Sequence, residues 1–214
     1  PRLASAPAGY DVVNATGLVV APGFVDLHTH LREPGFEYKE TISSGGQAAA
    51  RGGFTTICAM PNTEPPLDTA SVVEAIIRTA EKQSPVRVLP IGCVTVGRVG
   101  KQLVEMGALA EAGVVAFSDD GDPVADASLM RHALSYAGAL GIPVINHCEV
   151  RALSHLGDMH EGAVSARLGL SGVPSAAESA MVARDCELAL LTGGRLHIAH
   201  VSVAESIGYI ARAK

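Results

Sequence analysis

Val19-Val20-Ala21-Pro22-Gly23-Phe24-Val25-Asp26-Leu27-His28-Thr29-His30 is an apolar run that ends in two histidines. In a β-strand, residues i and i+2 share a face, so the imidazoles of His28 and His30 can reach one metal ion together. Neutral imidazole suits zinc. An HxH pair also arises where two histidines cap a strand by chance, so its surroundings have to decide.

Further apolar runs follow at 54–60, 86–94, 114–117, 142–146 and 195–200, after a first run at 19–27. Ala-rich stretches with helical spacing separate them at 41–51, 69–83, 101–112, 126–140, 175–191 and 204–213. Strand runs apolar on both faces, joined by helices, predict a parallel sheet covered on both sides. Six βα units are two short of a closed (β/α)8 barrel and enough for an open doubly wound sheet. The count leaves both architectures open. Residues 1–16 read as a separate remnant of a small accessory β region, and 17–214 as the main domain.

The composition narrows the class. Of the 214 residues 48% are hydrophobic, enough for a packed core, and the net charge of −6 argues against a nucleic-acid footprint. No apolar run approaches a membrane span, and the first ten residues lack a signal-peptide layout. Cys58, Cys93, Cys148 and Cys186 form no CxxC pair and read as reduced packing thiols of a cytoplasmic protein.

Polar residues gather where the runs end. Arg32, two residues past the histidine pair, offers a planar fork for a carboxylate. The fourth run leads into Ser118-Asp119-Asp120-Gly121, two adjacent acids that are costly to bury without a cation. Adjacent strand residues point to opposite faces, so at most one acid reaches the site. The alternative is a solvated acidic turn. Asn146-His147-Cys148-Glu149 ends the fifth run, with Glu149 placed to orient a neighbour, and His197-Ile198-Ala199-His200 ends the sixth. His200 at the strand end is the better ligand candidate. His197, three residues earlier, is expected on the opposite face, packed or hydrogen-bonded behind the sheet. His132, His155 and His160 lie away from strand ends and are not assigned as ligands. Imidazoles or carboxylates at strands one, four, five and six fit two metals bridged by one carboxylate. They also favour a barrel, in which every strand end converges on one mouth.

Pro22-Gly23-Phe24-Val25-Asp26-Leu27-His28-Thr29-His30-Leu31-Arg32-Glu33-Pro34-Gly35, Gly53-Phe54-Thr55-Thr56, Met60-Pro61-Asn62-Thr63, Phe117-Ser118-Asp119-Asp120-Gly121, Asn146-His147-Cys148-Glu149 and His197-Ile198-Ala199-His200-Val201-Ser202 together resemble the dihydroorotase branch of the amidohydrolase superfamily. The resemblance implies a (β/α)8 TIM-type barrel of the metal-dependent hydrolase kind, with about six of its βα units in this chain. It implies the zinc-dependent interconversion of N-carbamoyl-L-aspartate and L-dihydroorotate in pyrimidine synthesis. By similarity, His28 and His30 bind one zinc, His147 and His200 a second, Asp120 bridges them, and Arg32 with Asn62 holds the substrate carboxylate. The family's last strand adds an aspartate that ligates the first metal and shuttles the proton, and no residue here matches it. The expectation is a fragment with little or no turnover alone.

Relatives of the hydantoinase, dihydropyrimidinase and allantoinase type bridge their metals with a carboxylated lysine on a barrel strand. Lys101, the only lysine between Lys82 and Lys214, falls on a predicted helix, which favours Asp120 as the bridge. Some dihydroorotase-like chains are non-catalytic scaffolds of aspartate transcarbamoylase. That association and a homodimer are the protein partners the resemblance allows, beside a small anionic substrate. A nucleotide-binding open sheet is disfavoured, since Gly97 is followed by Arg98 where a P-loop needs Lys-Ser/Thr.

Overall fold

A computed structural model describes residues 8–154 and 157–214. Along the chain run β1 (Phe24–Thr29), α1 (Ile42–Arg51), β2 (Phe54–Ala59), α2 (Ala70–Gln83), β3 (Arg87–Gly92), a 3-10 turn (Val96–Arg98) and α3 (Met106–Ala112). Then come β4 (Ala116–Ser118), α4 (Ala127–Ala139), β5 (Val144–His147), α5 (Arg151–Ser154), β6 (Met159–His160) and α6 (Ala163–Leu168). The last elements are β7 (Gly172–Val173), α7 (Ala176–Thr192), β8 (Leu196–Ala199) and α8 (Ala204–Ala213).

Six strands form one parallel sheet in the order β1-β2-β3-β4-β5-β8, and β6 and β7 pair as a separate two-stranded ribbon. Sequential parallel neighbours joined through helices are the pattern of a barrel wall. The sheet is curled. β1 and β8 are its two edges, yet the rings of His28 and His200 lie 4.6 Å apart.

The curl gives the sheet a core on each face, and a further cluster of Cys148, Met181, Val182 and Cys186 packs at α7. On the convex side Ile57, Val88, Phe117 and Val144 pack against helix residues such as Val73, Ile76, Leu109, Met130 and Leu134. On the concave side Cys58, Ile91, Ala116, Ile145 and Ala199 form a layer of strand residues, joined by Met60 just past β2. Each large apolar side chain so buried contributes roughly 1.5–3 kcal/mol.

Local chemistry sets the element ends. Thr41 caps α1, accepting from the Ser44 amide at 3.0 Å while its own amide donates to Ser44 Oγ at 3.1 Å. Asp126 caps α4 by accepting from Leu129 N at 2.8 Å. Gly113 and Gly193 close α3 and α7 at φ of 104° and 68°, where a side chain would be strained.

Three expectations change. β1 starts at Phe24, because Pro22 has no N–H to give a ladder, and Val19 and Val20 are exposed. α3 starts at Met106, five residues late, because Leu103 bridges Thr95 and the Val104 amide donates to Val94 O at 3.1 Å. Lys101 is therefore an exposed loop residue. His197 lies on the concave face, paired with Ile145 and two residues from Ala199. Alternation does not run from His197 to His200, because His200 lies past the strand with φ +58°.

Candidate metal centre

The concave face carries the chemistry at its C-terminal rim. His28 lies in β1 and His30 one residue past it, Asp120 two residues past β4, His147 at the end of β5, and His200 just past β8. Asp120 sits at the centre. Its Oδ1 lies 3.3 Å from His28 Nε2 and 3.5 Å from His200 Nε2, and its Oδ2 lies 3.5 Å from His30 Nε2. The His147 and His200 rings are 5.0 Å apart. Two groups result, His28–His30–Asp120 and Asp120–His147–His200, each with its ligand atoms within 4.8 Å of one another. The carboxylate is common to both.

The electrostatics match. Burial pushes the Asp120 carboxyl up, but the imidazoles of His28, His30 and His200 outweigh it and bring it down to about 2. Burial lowers His30 below the ordinary imidazole value, helped by the charge of Arg32 and by His28. At neutral pH the site therefore offers an ionised carboxylate and an unprotonated imidazole. His28 Nε2 is buried and makes no hydrogen bond, although Asp120 Oδ1 is 3.3 Å away. Buried polar atoms without partners are uncommon. Ligand atoms that converge without bonding one another fit a cation between them.

Asn62 fixes the tautomer of His30. Its amide nitrogen lies 3.2 Å from Asp120 Oδ2, where only a donor is favourable, so its Oδ1 faces His30 Nδ1 at 2.9 Å. Nδ1 then carries the proton, leaving the Nε2 lone pair directed at Asp120. Arg32, at φ +61°, accepts from the Phe36 amide at 3.0 Å through its backbone oxygen; its guanidinium makes no hydrogen bond or ion pair among the described residues, yet its charge is felt by His30. It is held by its neighbours. Leu31 is buried, and Glu33 accepts from the Ile42 amide at 2.8 Å.

The two acids, both just past β4, part as expected. Asp119 turns back into the protein, accepting from the amides of Val94 at 2.9 Å and Thr95 at 3.1 Å and from the Thr95 hydroxyl. Glu149 lies 3.5 Å from His147 Nε2 and also accepts from Ser154. His132 is on α4, while His155 falls outside the described residues. His160, on the ribbon, lines a cavity of about 340 Å³ beside His147 and His200.

Arg98 is the residue the sequence did not reveal. Its guanidinium donates to the backbone oxygens of Asp119 and Asp120 and pairs with Asp122 at 2.7 Å. Arg32, Arg98 and His200 are the non-glycine residues with positive φ among those described, and all three are at this site. Such conformations persist where the surroundings over-determine them, often at functional sites. A non-glycine residue held at positive φ is a signal, but one that dihedral angles alone reveal.

A parallel strand wall whose rim gathers four imidazoles around one carboxylate is the architecture of metal-dependent (β/α) barrel hydrolases. A family model described as dihydro-orotase-like matches residues 17–206. The chain is 56% identical over 207 residues to a dihydroorotase of Pelotomaculum thermopropionicum, covering 97% of this chain and 48% of that one. It is 52% identical over 210 residues to a dihydroorotase of Solibacter usitatus, covering 98% and 48%. It thus spans about half the length of these curated relatives. An L-hydantoinase from Arthrobacter aurescens shares the fold at a TM-score of 0.73 and 22% identity, over 90% of this chain and 44% of that one. This chain belongs to the dihydro-orotase-like family, whose members are metal-dependent.

Proposed function

We propose that the protein is a dihydroorotase holding two zinc ions, one on His28 and His30, one on His147 and His200, with Asp120 shared. The observation that carries this reading is the single buried carboxylate within 3.5 Å of imidazoles from both edges of the sheet. Histidine and carboxylate donors suit zinc. When bound, such ions would supply Lewis-acid polarisation of a carbonyl and lower the pKa of a water molecule to about 7.

The chain's own residues supply the rest. Arg32, with its guanidinium uncommitted among the described residues, pairs with the substrate carboxylate through a planar fork. Asn62 uses one N–H toward Asp120, and its second N–H is available to the same substrate group. These contacts hold the ring amide over the metal cluster, so part of the rate comes from positioning. In hydrolysis, water adds to the ring amide carbonyl, the C–N bond breaks and the nitrogen takes a proton, giving N-carbamoyl-L-aspartate. In the biosynthetic direction the ureido nitrogen attacks the carboxyl and water is lost. No residue of these 214 is assigned the proton shuttle.

The intact ligand set favours an enzyme over a scaffold. A carboxylated lysine, the bridge of hydantoinases, has no candidate among the described residues, since exposed Lys101 lies in the loop before α3 and outside the cluster. The test is metal analysis combined with a dihydroorotate hydrolysis assay of the complete protein. About two zinc ions and reversible turnover are expected; a metal-free protein with no turnover refutes the reading.

A further inference from the structure

Resting on the two-metal reading, we infer that helix α7 positions the His147 and His200 half of the site, through Glu178 and the Arg184–Asp185 pair. None of these residues touches the metal cluster. Glu178 and Asp185 are seven residues apart, two turns, and so lie on one face of the helix.

The Glu178 carboxylate is fully occupied by the loop that follows His200 and by the first turn of α8. Oε2 accepts from the Ser202 amide at 2.9 Å and its hydroxyl at 2.6 Å, and Oε1 from the Val203 amide at 3.2 Å and Ser206 Oγ at 2.6 Å. His200 itself is held at φ +58°, a conformation that needs such external support.

Two turns later Asp185, fully buried, accepts from Asn146 Nδ2 at 2.6 Å and from Cys148 Sγ at 3.3 Å. These residues flank His147 on either side. Because strand side chains alternate, anchoring both neighbours outward on α7 leaves the His147 ring to face the concave side. Arg184 pairs with Asp185 at 2.6 Å and donates to Val124 O at 2.8 Å and Ala125 O at 2.6 Å. Asn146 Oδ1 accepts from the Val124 amide at 3.1 Å. The loop that leaves Asp120 is thereby tied to the same helix. A buried ion pair is a weak source of stability, so a network of this kind calls for a positional reason. α7 makes no hydrogen bond to His28 or His30 or to Asn62, which orients His30, among the described residues.

The test uses Glu178→Gln and Asp185→Asn in the metal-free protein, titrated with cobalt(II) as the probe. The unaltered protein is expected to take two ions, and each variant to keep the first affinity while the second weakens about 10–100-fold, the usual effect of losing a residue that orients a ligand. Parallel weakening of both ions, as from a general loss of stability, overturns the inference, and so does no change. If the unaltered protein binds fewer than two ions, the two-metal reading fails by itself. Imidazole NMR of the metal-free protein then decides the inference. The His147 and His200 signals should move in the variants while those of His28 and His30 stay; movement of all four, or of none, overturns it. Glu178→Gln, at a less buried position, carries the test if Asp185→Asn does not fold.

Discussion

Replacing Asp120 with asparagine keeps the shape and removes the charge around which the imidazoles are gathered. The carboxyl titrates at about 2 against an ordinary 3.8, although burial alone would raise it. With about 1.4 kcal/mol for each pKa unit, that depression is worth about 2 kcal/mol of metal-free stability, and near-complete burial leaves little solvent to screen it. The sign is fixed. A depressed acid stabilises the fold above its unfolded pKa of 3.8, and the contribution disappears as pH falls through about 2. The attraction also requires protonated imidazoles, so it fades as pH rises past the histidine range. Near pH 5, Asp120→Asn should therefore lower metal-free stability by about 2 kcal/mol. Near pH 8 it should be neutral or stabilising, because a buried carboxylate among neutral rings retains its desolvation cost. Urea unfolding of both proteins with a chelator, at the two pH values, measures the difference. Equal destabilisation at both would refute the placement of Asp120 among the imidazoles.

Arg32→Ala should leave metal content unchanged and raise KM for dihydroorotate by roughly 10–150-fold, the value of about 1.5–3 kcal/mol for hydrogen bonds to a charged group. Steady-state kinetics with metal analysis checks both halves. Asn62→Ala frees the His30 Nδ1 proton from its acceptor and should weaken the His28/His30 ion by about 10–100-fold, read by competition with a chelating dye. Phe117→Ala, at a fully buried position of β4, should cost about 3–5 kcal/mol by denaturant unfolding, with the metal affinities measured on the folded protein little changed.

Much of the wall was legible because each central strand is buried on both faces and so reads as an apolar run. The ends were less so. Val19 and Val20 look like strand residues, but Pro22 breaks the ladder before they can join it. The β6–β7 ribbon was invisible, since Met159–His160 and Gly172–Val173 are too short to show a period. At the site, the strand-end histidines and the Asp119-Asp120 pair stood out because a parallel sheet brings its C-terminal ends together, while the choice of Asp120 over Asp119 came only from the family resemblance. Alternation anticipated that Asp119 and Asp120 would part, and they do, although both lie just past β4 and Asp119 is held by Val94 and Thr95. It misplaced His197, because the chain leaves the strand before His200 and the alternation stops there. The supporting contacts of Asn62, Arg98, Glu178 and Asp185 depend on how loops and α7 pack, and no spacing in the sequence encodes them.

The most direct test of the account is anomalous diffraction at the zinc edge from crystals of the zinc-loaded protein. Two peaks about 3.5–4 Å apart are expected, one against His28 and His30, the other against His147 and His200, with Asp120 reaching both. A single peak away from Asp120, or no peak within reach of these histidines, would contradict it.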